Sequence, residues 1–128
     1  MTSQPPLVLC WADPNMGDPN AYLTEKQRFA GVHNRIDRWV YHQCGDDFTN
    51  FVNSNPNIKI VAIMNGGLAK RFVNPVSHLN NLHSVYVFCG TISKYASLTQ
   101  EEPKIRAVFD NENDLFRRMQ SDLQREFP

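Results

Sequence analysis

Five short apolar runs punctuate the chain, at residues 7–11, 39–42, 58–64, 85–89 and 105–109, and each ends in a polar or glycine-containing turn. Between them the apolar residues change period. Phe29, Val32 and Ile36 recur at helical spacing, as do Leu115, Met119 and Leu123, and such a stripe marks a helix lying on a core. The run at 58–64 is almost unbroken, as befits a strand buried on both faces in the middle of a sheet. Strand alternating with helix predicts a parallel sheet covered by helices on both sides.

The boundaries can be placed residue by residue. Thr24 and Gln27 form a capping-box pair, which predicts a first helix over 25–36, weakened at Gly31. Asp46 or Asp47 can cap a second helix that ends in Asn53-Ser54-Asn55-Pro56-Asn57. A third helix covers 68–73 and stops near Pro75, a fourth covers 91–98, and the longest covers 112–126. Five strands in strict alternation with five helices predict an α/β fold of three layers, flavodoxin-like or receiver-like, with strand order 2-1-3-4-5. Right-handed crossovers put the first and last helices on one face and the middle ones on the other. The 128 residues form one domain, with no internal repeat or linker.

Composition narrows the function classes. Thirteen basic residues balance thirteen acidic ones, so no global field draws in nucleic acid or an anionic membrane. No apolar run is long enough to span a membrane, and the opening residues lack the charged leader and apolar core of a signal peptide. Three cysteines, Cys10, Cys44 and Cys89, form no C-x-x-C pair, which suits free thiols in a reducing, cytoplasmic setting.

In an open parallel sheet, ligands meet the carboxyl ends of the strands. Those ends read Ala12-Asp13-Pro14, Gln43-Cys44-Gly45-Asp46, Asn65-Gly66-Gly67, Gly90-Thr91 and Asp110-Asn111. A phosphoacceptor receiver needs an acid after the first strand, an aspartate after the third, a hydroxyl after the fourth and a lysine after the fifth. Asp13 and Thr91 fit. Asn65 stands at the acceptor position, where an amide is no nucleophile, and no lysine follows the fifth strand. Asn65, Gly66 and Gly67, with Lys70 and Arg71 one turn on, form a candidate anion cradle of free N–H groups, although the spacing matches neither phosphate-loop motif. Asp13, Asp46 and Asp47 form a candidate divalent-cation site, with turn formation and capping as the simpler use of the same residues. Of the four histidines, His42 ends a strand, His33 lies in the first predicted helix, and His78 and His83 flank a loop, with no metal-ligand spacing. Tyr22, Trp39, Tyr41 and Tyr95 either pack under helices or remain at the surface as partner contacts.

The strings Leu7-Val8-Leu9-Cys10-Trp11-Ala12-Asp13-Pro14-Asn15, Lys59-Ile60-Val61-Ala62-Ile63-Met64-Asn65-Gly66-Gly67-Leu68 and Ser84-Val85-Tyr86-Val87-Phe88-Cys89 carry a resemblance. In order and spacing they are similar to an amino-terminal domain of bdelloid-rotifer multidomain proteins, from residue 7 to about residue 116. There the domain precedes a module such as an arginine ADP-ribosyltransferase or tetratricopeptide repeats. The resemblance implies a receiver-like fold coupled to an attached effector module, and it brings no catalytic residue with it. The Met64-Asn65-Gly66-Gly67 turn and the Lys70-Arg71 pair depart from that pattern. The stop just after the last helix agrees equally with a chain cut at a domain boundary and with a natural end. The expectation is therefore a non-enzymatic regulatory or protein-interaction module with no cofactor. The alternative is a small nucleotide- or anion-binding domain like the Toll/interleukin-receptor fold. The hydrolases of that fold place a glutamate in the helix after the third strand, and residues 68–79 contain none.

Overall fold

The computed structural model describes residues 4–128. Its centre is a five-stranded, all-parallel sheet: β1 (Leu7–Ala12), β2 (Ile36–His42), β3 (Lys59–Met64), β4 (Leu82–Phe88) and β5 (Ile105–Phe109). The spatial order is β2-β1-β3-β4-β5, which places the apolar run of β3 in the middle as its composition predicts. All six residues of β1 are buried, and so are five of the six in β3.

The pleat deals these side chains to two cores. Leu9, Trp11, Val61, Ile63 and Tyr86 face α1 (Leu23–Phe29) and α6 (Glu112–Glu126), which contribute Phe29, Leu115, Met119 and Leu123. Cys10, Ala12, Ile60, Ala62 and Met64 face the other way, toward α2 (Gly45–Ser54) and α3 (Gly66–Phe72). First and last helices thus share one face, as right-handed crossovers require.

Several boundaries depart from the sequence expectation. The first helix is only seven residues long and ends at Phe29. Gly31 and Asn34 break it, the N–H groups of Gly31 and Val32 turn back on Arg28 and Phe29, and Ile36 opens β2 instead of closing the helix. His33 therefore sits in a turn, where its Nε2 lies 2.7 Å from the Phe127 carbonyl. The Thr24/Gln27 capping box does not form, because Tyr22 takes the N-cap position. Neither Asp46 nor Asp47 caps α2; Cys44 precedes it, and the acids lie in its first turn, where they complement the helix dipole. The fourth helix divides into two single turns, α4 (Ile92–Tyr95) and α5 (Leu98–Glu101). The last helix runs as read, with the Asn111 side chain accepting the Asp114 N–H.

The two cores also set a test of stability. Ile63 is fully buried between β1 and β4, so Ile63→Ala is expected to lower unfolding free energy by about 2–5 kcal/mol in urea titrations. Ile92→Ala removes a side chain that is 39% exposed on α4 and is expected to change it by less than about 0.5 kcal/mol.

Candidate functional site

The strand order reverses between β1 and β3, so the carboxyl ends of these two strands frame the place where a ligand would meet this fold. Asp13 leaves β1 there and is 5% exposed. One carboxylate oxygen accepts the Asn15 N–H at 2.8 Å and caps the 3-10 turn Pro14–Gly17; the other accepts the Tyr22 hydroxyl at 3.1 Å. Tyr22 itself adopts a left-handed backbone with φ 57°, the only positive φ outside glycine among the described residues. A bulky residue holds that conformation only when its surroundings fix it. Here the Asp13 bond and stacking on Trp11, with ring centroids 5.3 Å apart, do so. Burial first, and the neighbouring Asp13 charge besides, push the Tyr22 hydroxyl pKa upward, against the Asn15 hydrogen bond that opposes the shift.

Asn65 leaves β3 on the other side of the switch point. Its side-chain oxygen accepts the N–H of Gly67 at 2.9 Å and of Leu68 at 3.4 Å. The anion cradle read from Asn65, Gly66 and Gly67 required those N–H groups to be free, and the chain's own amide fills the place an anion would take. Asparagine is among the strongest N-caps, which accounts for the substitution of roles. Lys70 and Arg71 are exposed, with the Arg71 guanidinium 5.3 Å from the Phe72 ring centroid.

Close approaches of side chain to backbone shut the rest of this edge. A Cβ on Gly66 would stand 2.4 Å from the Tyr95 ring, so α4 lays that ring directly on the first turn of α3. A Cβ on Gly45 would meet the Phe72 ring at 2.0 Å, and one on Gly17 would meet the Gln43 amide at 2.1 Å. Gly45 and Gly66 are needed for the close approach of the rings, not for an unusual φ, whereas the exposed Gln43 side chain can swing away from Gly17. What remains open is a shallow cleft of about 620 Å³ bordered by Asn15, Gly17, Tyr22 and Gln43.

The candidate cation site is not assembled. Asp13 is buried and bonded within the chain, Asp46 and Asp47 are exposed on α2, and no cluster of three or more metal-ligating side chains occurs among the described residues. Thr91 is exposed at the start of α4. The carbonyl of Thr91 lies 3.5 Å from the Cys89 thiol.

Two polar features were not foreseen. His42 is 8% exposed at the end of β2, packed between Phe48 and Phe51, and its Nε2 has no hydrogen-bond partner. Burial lowers its pKa, with the Asp47 charge opposing. The second feature lies on the opposite half of the sheet, under α6. There the buried Asp122 accepts the Tyr86 hydroxyl at 2.6 Å and the Arg118 Nε at 2.9 Å, while Arg106 binds Glu126 through two bonds of 2.6 Å. Burial alone would raise the Asp122 pKa; the hydrogen bonds from Tyr86 and Arg118 and the charge of Arg106 outweigh it and hold the carboxyl below its ordinary value. A sequence signal existed, since Asp122 interrupts the apolar stripe of α6 and Arg106 interrupts an apolar strand.

Two predictions follow from this geometry. Gly66→Ala should expel the Tyr95 ring, loosen residues 90–97 in hydrogen exchange and cost about 1–3 kcal/mol. In a double-mutant cycle with Tyr95→Ala the two losses should fall short of additivity. The second concerns pH. Burial lowers the pKa of both His42 and His83 from the ordinary 6.5, so the unfolded chain takes up protons first as pH falls. Stability is then fully present above about pH 6.5 and is lost as pH drops toward the folded-state values. Urea midpoints measured across that window should fall with pH, and His42→Leu should flatten part of the slope.

No protein-family model matches the chain and no curated protein matches it, so the reading of this edge rests on its own geometry.

Proposed function

We propose that this domain is a non-enzymatic interaction module, in which a receiver-like fold serves a protein partner or an attached effector module and not a reaction. One observation carries the reading. Asp13 and Asn65, the polar side chains flanking the switch point, each accept two hydrogen bonds from their own chain. An acid that must hold a metal, or an amide that must bind substrate, needs lone pairs facing the ligand. The Tyr95 and Phe72 rings laid on Gly66 and Gly45 support the same reading, because they fill space a substrate would use. The resemblance to domains that precede effector modules agrees with it. The free thiols Cys10, Cys44 and Cys89 favour a reducing, cytoplasmic setting.

The rival reading, a small nucleotide- or anion-binding sensor, draws on the cleft beside Tyr22 and Gln43 and on the left-handed backbone at its rim. Thermal melts and amide NMR spectra with inorganic phosphate, mono- and dinucleotides and magnesium separate the two. The interaction module should show melting temperatures unchanged within about 1 °C and unshifted amides at residues 13–18, 43–47 and 65–69. A ligand at 100 times its dissociation constant would raise the melting temperature by on the order of 10 °C, and such a rise would overturn the proposal. Acetyl phosphate should likewise leave the protein unmodified, as intact mass spectrometry would read.

A further inference from the structure

Most cations of this chain are answered within the fold. The arginines of α6 and β5 pair with carboxylates, and so do Arg28 and Arg38. Lys59 and Lys104 bond the Asn80 and Leu79 carbonyls at 3.0 and 2.7 Å, and Arg35 bonds the Pro128 carbonyl. Lys26 stands on the Tyr41 ring. The remaining cations are Lys70, Arg71 and Lys94, all exposed, and none pairs with a carboxylate among the described residues. These three share one corner of the molecule. The Tyr95 ring lies on Gly66, and its hydroxyl lies 3.9 Å from a Cβ built on Gly67. Lys70 and Arg71 follow those glycines by four positions, one turn along the same side of α3. The Lys94 ammonium stands 5.5 Å from the centre of the Tyr95 ring. Ile92, three positions before Tyr95 on α4, is 39% exposed, and α4 contributes nothing to the core. Asp46 and Asp47 begin α2, where the Phe72 ring comes down, yet neither pairs with Lys70 or Arg71.

We propose that this corner between α3 and α4 docks an acidic segment of a partner protein, with carboxylates on Lys70, Arg71 and Lys94 and an apolar side chain against Ile92 and Tyr95. Charge selects the occupant. Three cations without a partner of their own are complementary to a carboxylate-rich segment, and the Arg71 guanidinium suits a carboxylate's two oxygens. The exposed Ile92 selects protein among polyanions. A nucleic acid would satisfy the cations but bring no aliphatic group to cover Ile92. The Tyr95 ring, laid on Gly66 with Lys94 beside it, is not open for a base to stack on. The chain as a whole has no net charge, so recognition is local and the field does not reach far. The corner spans little more than two short helices, the size of a transient contact and not of a permanent interface.

This inference rests on the reading of the domain as an interaction module and names the partner's chemistry. The probe is a blocked peptide with glutamates on both sides of a Leu-Phe pair, titrated into isotope-labelled protein. Amides of residues 70–72 and 92–96 should shift saturably, with a Kd on the order of 100 µM. Raising salt from about 0.05 to about 0.5 M should weaken binding several-fold. Lys70→Glu with Arg71→Glu should weaken it at least about tenfold, and that variant should instead take the same peptide written with lysines for glutamates. Ile92→Ser should weaken it at least about threefold. Circular dichroism checks that the variants fold. Should one not, the peptide with glutamines for glutamates tests the claim on the unaltered protein, which should not bind it. No saturable shift at these amides, equal binding of the glutamine peptide, or a single-stranded oligonucleotide bound there more tightly than the acidic peptide would overturn the inference. Its failure would leave the interaction module free to use another face. A nucleotide that raises the melting temperature and shifts residues 13–18 would remove the module reading itself, whatever the peptide does.

Discussion

The fold depends on the burial of β1 and β3 on both faces. A parallel strand in the middle of a sheet has no solvent side, so each residue must meet a helix above or below. Leu9, Trp11, Val61 and Ile63 point into one core, and Cys10, Ala12, Ile60, Ala62 and Met64 into the other. Neither core stands without the sheet between them. This requirement draws α1 and α6 to one side and α2 and α3 to the other, and it brings the strand ends carrying Asp13 and Asn65 side by side. The main-chain bond from the Asn65 N–H to the Ala12 carbonyl, 2.9 Å long, ties those ends together.

The same pressure explains the closed carboxyl edge. Helices α3 and α4 are short, and each lays an aromatic ring, Phe72 or Tyr95, on the first turn of a neighbouring helix. Close approach needs glycine at the contact, and Gly45 and Gly66 are where Phe72 and Tyr95 come down. Crevices in open α/β sheets exist because adjoining loops diverge at the switch point. Here the Tyr95 ring covers the first turn of α3 beside the β3 end, and a shallow cleft stays open beside the β1 loop.

The sequence made the fold legible because period and burial agree. Unbroken apolar strands and the stripe of α6 left little choice of architecture or strand order. The errors fell where local signals conflict. Phe29, Val32 and Ile36 keep helical spacing, yet the chain turns at Gly31, and Ile36 faces the same core from a strand. One apolar face served two kinds of backbone, so spacing alone could not find the break. The candidate site was legible in place but not in use. Asn65-Gly66-Gly67 reads equally as an open N–H cradle or as a capped helix, and only the side-chain rotamer of Asn65 distinguishes them. Tyr95 on Gly66 and Phe72 on Gly45 link residues more than twenty positions apart, beyond the reach of any local motif. His42 shows the same limit: the sequence placed it at a strand end but could not tell that Phe48 and Phe51 would enclose it.

The segment from Gly90 to Ser97 carries a consequence for engineering. Nothing lies within 4 Å of a side chain built on Gly90, α4 contributes no buried residue, and the Tyr95 ring is its main inward contact. On one side the Cys89 N–H bonds the Phe109 carbonyl of the sheet, and on the other Leu98 of α5 anchors the chain in the α2/α3 core. A foreign domain spliced in after Gly90 would interrupt neither core and no strand pairing. The receiver-like scaffold thus offers a natural port through which a second folded unit can be carried at the strand ends without rebuilding the sheet beneath it.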